Sequence, residues 1–186
     1  MKTYKLNDLN NPLISVLMPA YNAEKYIKEA IESILNQTFS NFEFIIIDDG
    51  SIDATEEIIK SFKDSRIVYI KNEKNLGLIK TLNKGISIAR GEFIARMDSD
   101  DISMPQRFEL QLDVFKKYKG VDIVNVALKK MSEDGTKLSK YRHNIYPGFE
   151  AIHYLINIDT FIVHPGVLVK ACLLKKYRYR DCEECI

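Results

Sequence analysis

The chain has 186 residues, 46% of them hydrophobic and 28% charged, which suits one folded domain with a real core and excludes a disordered segment. Its 27 basic and 26 acidic residues leave a formal net charge of +1, so nothing pulls it generally toward nucleic acid, and an anionic ligand has to be held by local chemistry. Residues 1–11 are polar and lack the apolar stretch of a signal peptide, and the runs Phe42–Ile47 and Phe161–Val169 are too short or too interrupted to span a bilayer. These features lead to the expectation of a soluble, cytoplasmic protein.

Leu13–Met18 is a short β-branched run that reads as a buried strand closed by Pro19. Apolar residues at Ile27, Ala30, Ile31, Ile34 and Leu35 then predict a helix over Lys25–Asn36 with one stripe facing a core. Phe42–Ile47 is a second strand, ending in Asp48-Asp49-Gly50-Ser51. Asp53, with Glu56 three residues on, reads as a capping box for a helix that turns Ile58, Ile59 and Phe62 inward. Arg66–Lys71 is a third strand and Gly77–Ala89 a third helix, with Gly91 expected at a positive φ beyond it. Phe93–Met97 is a fourth strand, and Asp98-Ser99-Asp100-Asp101 follows directly. Ser103 is expected to cap the next helix, with Pro105 in its first turn and Phe108, Leu112 and Phe115 facing inward.

Nearly continuous apolar strands alternating with helices predict an α/β fold around a mostly parallel sheet up to about Lys119. The rhythm then changes. Asp122–Met131, a turn at Glu133-Asp134-Gly135 and Lys137–Tyr141 predict a small antiparallel addition, followed by a helix over Phe149–Ile156 and a strand over Gly166–Val169. No internal repeat or low-complexity linker breaks the chain. Cys172, Cys182 and Cys185, odd in number and late in the chain, read as reduced thiols, and Cys182-x-x-Cys185 lacks the second pair that a zinc site needs.

In an open parallel sheet, ligands bind outside the carboxyl ends of the strands. Pro19-Ala20-Tyr21-Asn22, Asp48-Asp49-Gly50-Ser51, Asn72–Gly77 and Asp98-Ser99-Asp100-Asp101 are the four segments predicted there. Two acidic clusters on one crevice repel unless something neutralises them, and Mg²⁺ or Mn²⁺ with oxygen ligands does so. Mg²⁺ takes one or two protein carboxylates and leaves other positions to water and phosphates, which a D-x-D pair suits. Turn formation and helix capping are the competing account, and Asp53 and Asp101 fit it. There is no G-x-x-x-x-G-K and no G-x-G-x-x-G after the first strand, so P-loop and dinucleotide-binding chemistry are excluded.

Ser15-Val16-Leu17-Met18-Pro19-Ala20-Tyr21-Asn22, Asp48-Asp49-Gly50-Ser51, Asn75-Leu76-Gly77 with Asn83, Gly85, Ala89, Arg90 and Gly91, and Asp98-Ser99-Asp100-Asp101 together resemble the family 2 glycosyltransferases of the GT-A fold. The resemblance runs from about Pro12 to the end of the chain. It implies a tail over residues 1–11 and one GT-A domain over 12–186, with a nucleotide-binding half (12–119) and an acceptor-side half (120–186). It also implies an inverting transfer from a nucleotide-sugar donor, UDP-linked by expectation, with Mn²⁺ or Mg²⁺. By that resemblance Pro19, Tyr21 and Asn22 line the base and ribose pocket, Asp48 bonds the nucleobase, and Asp49, Gly50 and Ser51 shape its loop. Asn75 and Gly77 border the cleft, Asp98 contacts the ribose or donor sugar, Asp100 ligates the metal, and Asp101 supports the turn.

An inverting transfer also needs a general base. The family's acidic pair follows a strand–helix segment that Gly166–Tyr177 resembles, and the chain then reads Arg178-Tyr179-Arg180-Asp181-Cys182-Glu183-Glu184-Cys185-Ile186. The expectation is therefore a base beyond Ile186, with Asp181, Glu183 and Glu184 as the nearest carboxylates, and a chain that binds donor without completing the transfer is the alternative reading. A metal-dependent nucleotidyltransferase lacks its basic Gly-rich loop here, and a receiver-type module lacks its acidic pair after the first strand. The basic stretch Lys170, Lys175, Lys176, Arg178 and Arg180 reads as a solvated face, with peripheral membrane association and a glycan or lipid-linked acceptor as further expectations. His164 reads as structural, and scattered aromatics give no platform for nucleic acid.

Overall fold

The computed structural model of the chain describes residues 11–127, 129, 131–132 and 164–180. Four strands run parallel: β1 (Ile14–Ala20), β2 (Phe42–Asp48), β3 (Ile67–Lys71) and β4 (Phe93–Arg96). Helices α1 (Ile27–Leu35), α2 (Thr55–Ser61) and α3 (Leu78–Ile88) connect them, and α4 (Arg107–Lys117) follows β4. Two short strands, β5 (Ile123–Val124) and β6 (Leu168–Lys170), extend the sheet to the order β3-β2-β1-β4-β6-β5, with β6 antiparallel to both β4 and β5. A 3-10 turn, His164–Gly166, leads into β6, and α5 (Ala171–Lys176) follows it.

Both faces of the sheet are covered, as the apolar strands require. On one face Ile14, Val16, Met18, Phe42, Phe44 and Ile46 pack against α1 through Ile27, Ala30, Ile31 and Ile34, against α2 through Ile59, and against α4 through Phe108 and Leu112. On the other face Leu17, Ile45, Ile47, Ile94 and Val169 meet Leu82 and Ile86 of α3 and Ala171, Leu173 and Leu174 at α5. Burying each large apolar side chain contributes about 1.5–3 kcal/mol. A Cβ built at Gly85 would stand 2.1 Å from Leu17 Cδ1, so the absence of a side chain there lets α3 lie close on β1.

Up to about Lys119 the predicted elements form within a few residues of their expected bounds, and the differences have local causes. Pro19 lies inside β1, opposite Ile47. Leu17 O accepts from Met97 N on the β4 side, so Pro19, two residues on, turns its missing N–H toward that side beyond the last β4 pairing. Asp53 and Glu56 do not form a capping box. Asp53 Oδ1 accepts from Thr55 N, whereas Glu56 turns away to Lys60, at 2.5 Å, and to Lys71. Ser103 does not cap α4, which starts four residues later. Its Oγ accepts from Gln37 Nε2 and its N–H donates to Ser33 Oγ, tying the segment before α4 to the end of α1. The antiparallel addition is built from β6 and β5, with only two residues of Asp122–Met131 in β5. Lys137–Tyr141 and Phe149–Ile156 lie outside the described residues.

Gly91 is required for space and does not adopt a positive φ. A Cβ there would meet Ser15 N at 2.5 Å and Ile14 C at 2.8 Å, both backbone atoms of β1. Gly91 N donates to Ser15 Oγ, which donates to buried Glu43. The Glu43 carboxylate also accepts from Arg90 N and Arg90 Nε, so one acid fixes the turn from α3 into β4. Gly91→Ala should therefore destabilise the fold by about 1–3 kcal/mol, because backbone cannot yield as a side chain can. Urea unfolding of the variant measures this, and wild-type stability would show that β1 and the turn are not in contact.

Candidate functional site

The path β1-β2-β3 runs outward on one side of β1, and β4 lies on the other. The connections therefore diverge at the carboxyl ends of β1 and β4, the place where open α/β sheets form a ligand crevice. The pairings Ala20↔Asp48 and Asp48↔Lys71 set the ends of three strands level, and Leu17↔Arg96 brings Asp98 up two residues later on the other side of β1.

Reciprocal hydrogen bonds join the loops after β1 and β2. Asn22, in the left-handed region at φ 48°, donates from its N–H to Ser51 Oγ at 3.0 Å and accepts from Ile52 N at Oδ1. Ala23 N donates to Thr55 Oγ1 and Glu24 N to Asp53 Oδ2. Asp48 is fully buried; its Oδ1 accepts from Ser51 N at 2.8 Å and its Oδ2 from Tyr69 Oη at 3.3 Å. Burial, and after it the charges of Asp48 and Glu56, push the Tyr69 phenol well above its usual range, so it remains a donor to Asp48. Tyr21 stands 47% exposed beside this pair of loops.

Asp49 works across to the next loop. Its Oδ1 accepts from Asn72 Nδ2 at 2.7 Å and Leu76 N at 2.9 Å, and its Oδ2 from Gly77 N at 2.9 Å. It thereby holds the start of α3, where a negative charge is also favoured by the exposed N–H groups. Asn75 Oδ1 shares the Gly77 N–H. Asn72 itself donates to Thr81 Oγ1 and accepts from Lys84 Nζ. Gly50 sits at φ +79°, and a Cβ there would lie 2.7 Å from the Lys74 carbonyl carbon, so backbone packs on backbone between the two loops.

The acidic segment after β4 rests on two buried arginines. Arg96 Nη2 donates to Asp98 Oδ1, while Arg96 Nε and Nη1 are buried without a hydrogen-bond partner among the described residues. Arg107 Nη2 donates to Arg96 O and Val167 O, and its Nε to Gln111 Oε1. Burial, with Arg96 adding repulsion and Asp101 opposing, lowers the Arg107 pKa to about 10. Burial and then the charges of Asp98 and Asp100 raise Asp101 to about 6, against the pull of Arg96 and Arg107. Asp100 is exposed. Beside this cluster His164 Nε2 lies 2.6 Å from Tyr179 Oη. Burial and Arg96 lower the His164 pKa, and burial raises that of Tyr179. Asn83 of α3 holds the same tyrosine by its backbone, donating to Tyr179 O at 2.9 Å and accepting from Tyr179 N at 3.1 Å.

The loops carrying Pro19, Tyr21, Asn22, Asp48, Asp49, Gly50, Ser51, Asn75 and Gly77 are thus bonded to one another, and Asp98 and Asp100 follow the strand on the other side of β1. Among the described residues no group of three or more His, Cys, Asp or Glu side chains converges as a protein cage for a metal. The donor set fits a hard cation held by one or two carboxylates and completed by ligand and water, since Asp100 is exposed and lies between the carboxylates of Asp98 and Asp101 in the chain. Asp181, Glu183 and Glu184 lie outside the described residues. Of the basic stretch, Lys170 pairs with Asp122 at 2.8 Å, Lys175 donates to Ala89 O and Arg178 to Asn83 O. No described helix is long and apolar enough to cross a membrane. Periodicity gives no role to Arg96, Asn72 or Arg107. The one signal for Arg96 is a charge inside a strand that is otherwise apolar.

Comparison with known proteins agrees with this geometry. The chain is 40% identical over 180 residues to an uncharacterized glycosyltransferase of Methanocaldococcus jannaschii, covering 95% of this chain and 62% of the relative. It is 37% identical over 123 residues to the Escherichia coli UDP-Glc:alpha-D-GlcNAc-diphosphoundecaprenol beta-1,3-glucosyltransferase WfgD, covering 63% of this chain and 49% of that protein. The chain therefore spans less than two thirds of the length of these relatives. Among solved structures, Staphylococcus aureus TarS (residues 1–349) in complex with UDP superposes with a TM-score of 0.70 at 25% identity, over 88% of this chain and 48% of TarS, and the same protein has been solved with UDP-GlcNAc. The architecture is the GT-A fold, a mostly parallel sheet between helices. The profile described as Glycosyl transferase family 2 matches residues 15–178, and the chain belongs to that family.

Proposed function

We propose that this chain binds a nucleoside-diphosphate sugar, UDP-linked, at the carboxyl edge of β1, β2 and β4, and serves an inverting glycosyl transfer in polysaccharide or glycan assembly. The observation that carries the reading is the meeting of the buried Asp48 loop and the Asp98–Asp101 segment on either side of β1, in a fold shared with a protein solved with UDP and UDP-GlcNAc. The nucleotide-binding half is residues 12–119 and the acceptor-side half begins at 120.

In this reading Pro19, Tyr21 and Asn22 line the base and ribose pocket, and Asp48 accepts from the nucleobase. Gly50 and Ser51 keep the Asp48 loop in shape, and Asn75 and Gly77 border the cleft under the hold of Asp49. Asp98 accepts from the ribose or donor sugar. Asp100, with Asp98 near it, holds Mn²⁺ or Mg²⁺, which when bound offsets the charge that builds on the leaving diphosphate. The acceptor hydroxyl gives its proton to a carboxylate base and attacks the anomeric carbon. A new C–O bond forms as the bond to the diphosphate oxygen breaks, and the nucleoside diphosphate leaves. A lipid-linked acceptor of the kind in WfgD's name would bring the site to a membrane surface on the cytoplasmic side.

Calorimetric titration with UDP tests the donor site. Mn²⁺ should strengthen binding, Asp100→Asn should remove most of that gain, and Asp48→Asn should weaken UDP roughly tenfold to a hundredfold by losing a charge-assisted bond. Metal-independent binding in all three proteins would refute the assignment of Asp100.

Burial of Asp101, with the charges of Asp98 and Asp100 beside it, gives a separate test by pH. Its folded pKa of about 6 lies above its ordinary 3.8, so its ionisation costs stability: the favourable contribution is full below the ordinary value and is lost as pH rises through about 6. Asp101→Asn should therefore raise the melting temperature at pH 7.5 and leave it nearly unchanged at pH 4. An equal change at both values would show that its charge is already compensated.

A further inference from the structure

Arg96 stands on β4 only 3% exposed, yet little in the fold rewards an arginine there. A buried guanidinium gives up its hydration and needs good partners in return. Among the described residues Arg96 has one side-chain partner, Asp98. Its Nε and Nη1 are enclosed and find no hydrogen-bond partner among the described residues. The nearby Arg107 is a second buried cation, and the Arg96 charge disfavours that of Arg107. An apolar side chain of similar length would fill the same space without these penalties. Asp98, whose side chain is 34% exposed at the crevice, is the one described group through which this arginine reaches outside the core.

We infer that Arg96 is a positioning residue for the donor: it holds the Asp98 carboxylate in one orientation at the mouth of the crevice and sets a fixed positive charge beneath the Asp98–Asp101 segment. The ribose or sugar hydroxyls of a nucleoside-diphosphate sugar then meet an acceptor oxygen that is already aimed. The diphosphate approaches an acidic segment whose repulsion is partly offset from below. This inference rests on the donor-site reading above.

The test uses the full chain and UDP as probe, with and without Mn²⁺. It compares wild type, Arg96→Gln, Arg96→Lys, Asp98→Asn and the double variant Arg96→Gln/Asp98→Asn by calorimetry and thermal melting. Arg96→Gln is expected to lose about tenfold or more in UDP affinity without a lower melting temperature, and Arg96→Lys to recover part of the loss. The double variant is expected to bind no more weakly than Asp98→Asn, because both changes remove one interaction. Unchanged affinity in Arg96→Gln, or single losses that multiply in the double variant, would overturn the inference. If Arg96→Gln does not fold, Arg96→Lys, alone and combined with Asp98→Asn, is judged by the same two outcomes. A wild-type chain that binds no UDP removes the donor site and this inference together. A wild type that binds UDP while the arginine variants match it removes this inference alone.

Discussion

The carboxylate of Asp49 is the interaction on which the crevice depends. It is buried at the end of β2, and an isolated buried carboxylate would cost several kcal/mol. It is tolerated because it accepts from Asn72, Leu76 and Gly77, and hydrogen bonds to an ionised acceptor contribute roughly 1.5–3 kcal/mol each. Those bonds fix the loop after β3 and the start of α3 against the loop after β2. The close approach at Gly50 then becomes a consequence, since no side chain fits between two backbones held this near. The neighbouring Asp48 is thereby left inside a rigid frame, bonded to Ser51 and Tyr69.

On the other side of β1 the problem is reversed. Asp98, Asp100 and Asp101 crowd one segment, and burial, followed by the charges of Asp98 and Asp100, raises the pKa of Asp101. Arg96 and Arg107 lie below and offset part of that charge. Arg107 is well supported, by two backbone carbonyls and Gln111, so it belongs to the packing of α4 on the sheet. Arg96 is poorly supported and faces the acidic segment. Two neighbouring guanidiniums thus divide the work, one inside the scaffold and one at the crevice.

Much of this was legible in the sequence, because apolar period and strand order suffice to bring strand ends to one edge. The four parallel strands and their helices followed from runs such as Phe42–Ile47 and the stripe Ile27, Ala30, Ile31, Ile34. The acidic pairs stood out because turn propensity does not call for carboxylates in succession. Tertiary partners were not legible. Ser103 has the right chemistry for a cap and spends it on Gln37 and Ser33. Glu56 has the right spacing for a capping box and spends its charge on two lysines. Gly91 suggested backbone freedom, where the real need is room for β1. Arg96 showed in the sequence as a charge inside an apolar strand, but its pairing with Asp98 and its orphaned Nε and Nη1 among the described residues belong to the tertiary structure.

Asn83 joins α3 to the segment after α5 in an unusual way. A helix has no spare backbone groups with which to pair an extended segment, but an asparagine amide carries the same donor and acceptor as a peptide. Asn83 thereby makes one rung of a ladder with Tyr179. With Asp49 at its first turn and Lys175 on the Ala89 carbonyl just past its last, α3 is a rod pinned at three points. A rod pinned in this way carries a displacement along its length. Any shift of the Leu76–Gly77 end is shared by the place from which the chain leaves Tyr179, and the two sides of the crevice move as one mechanical part.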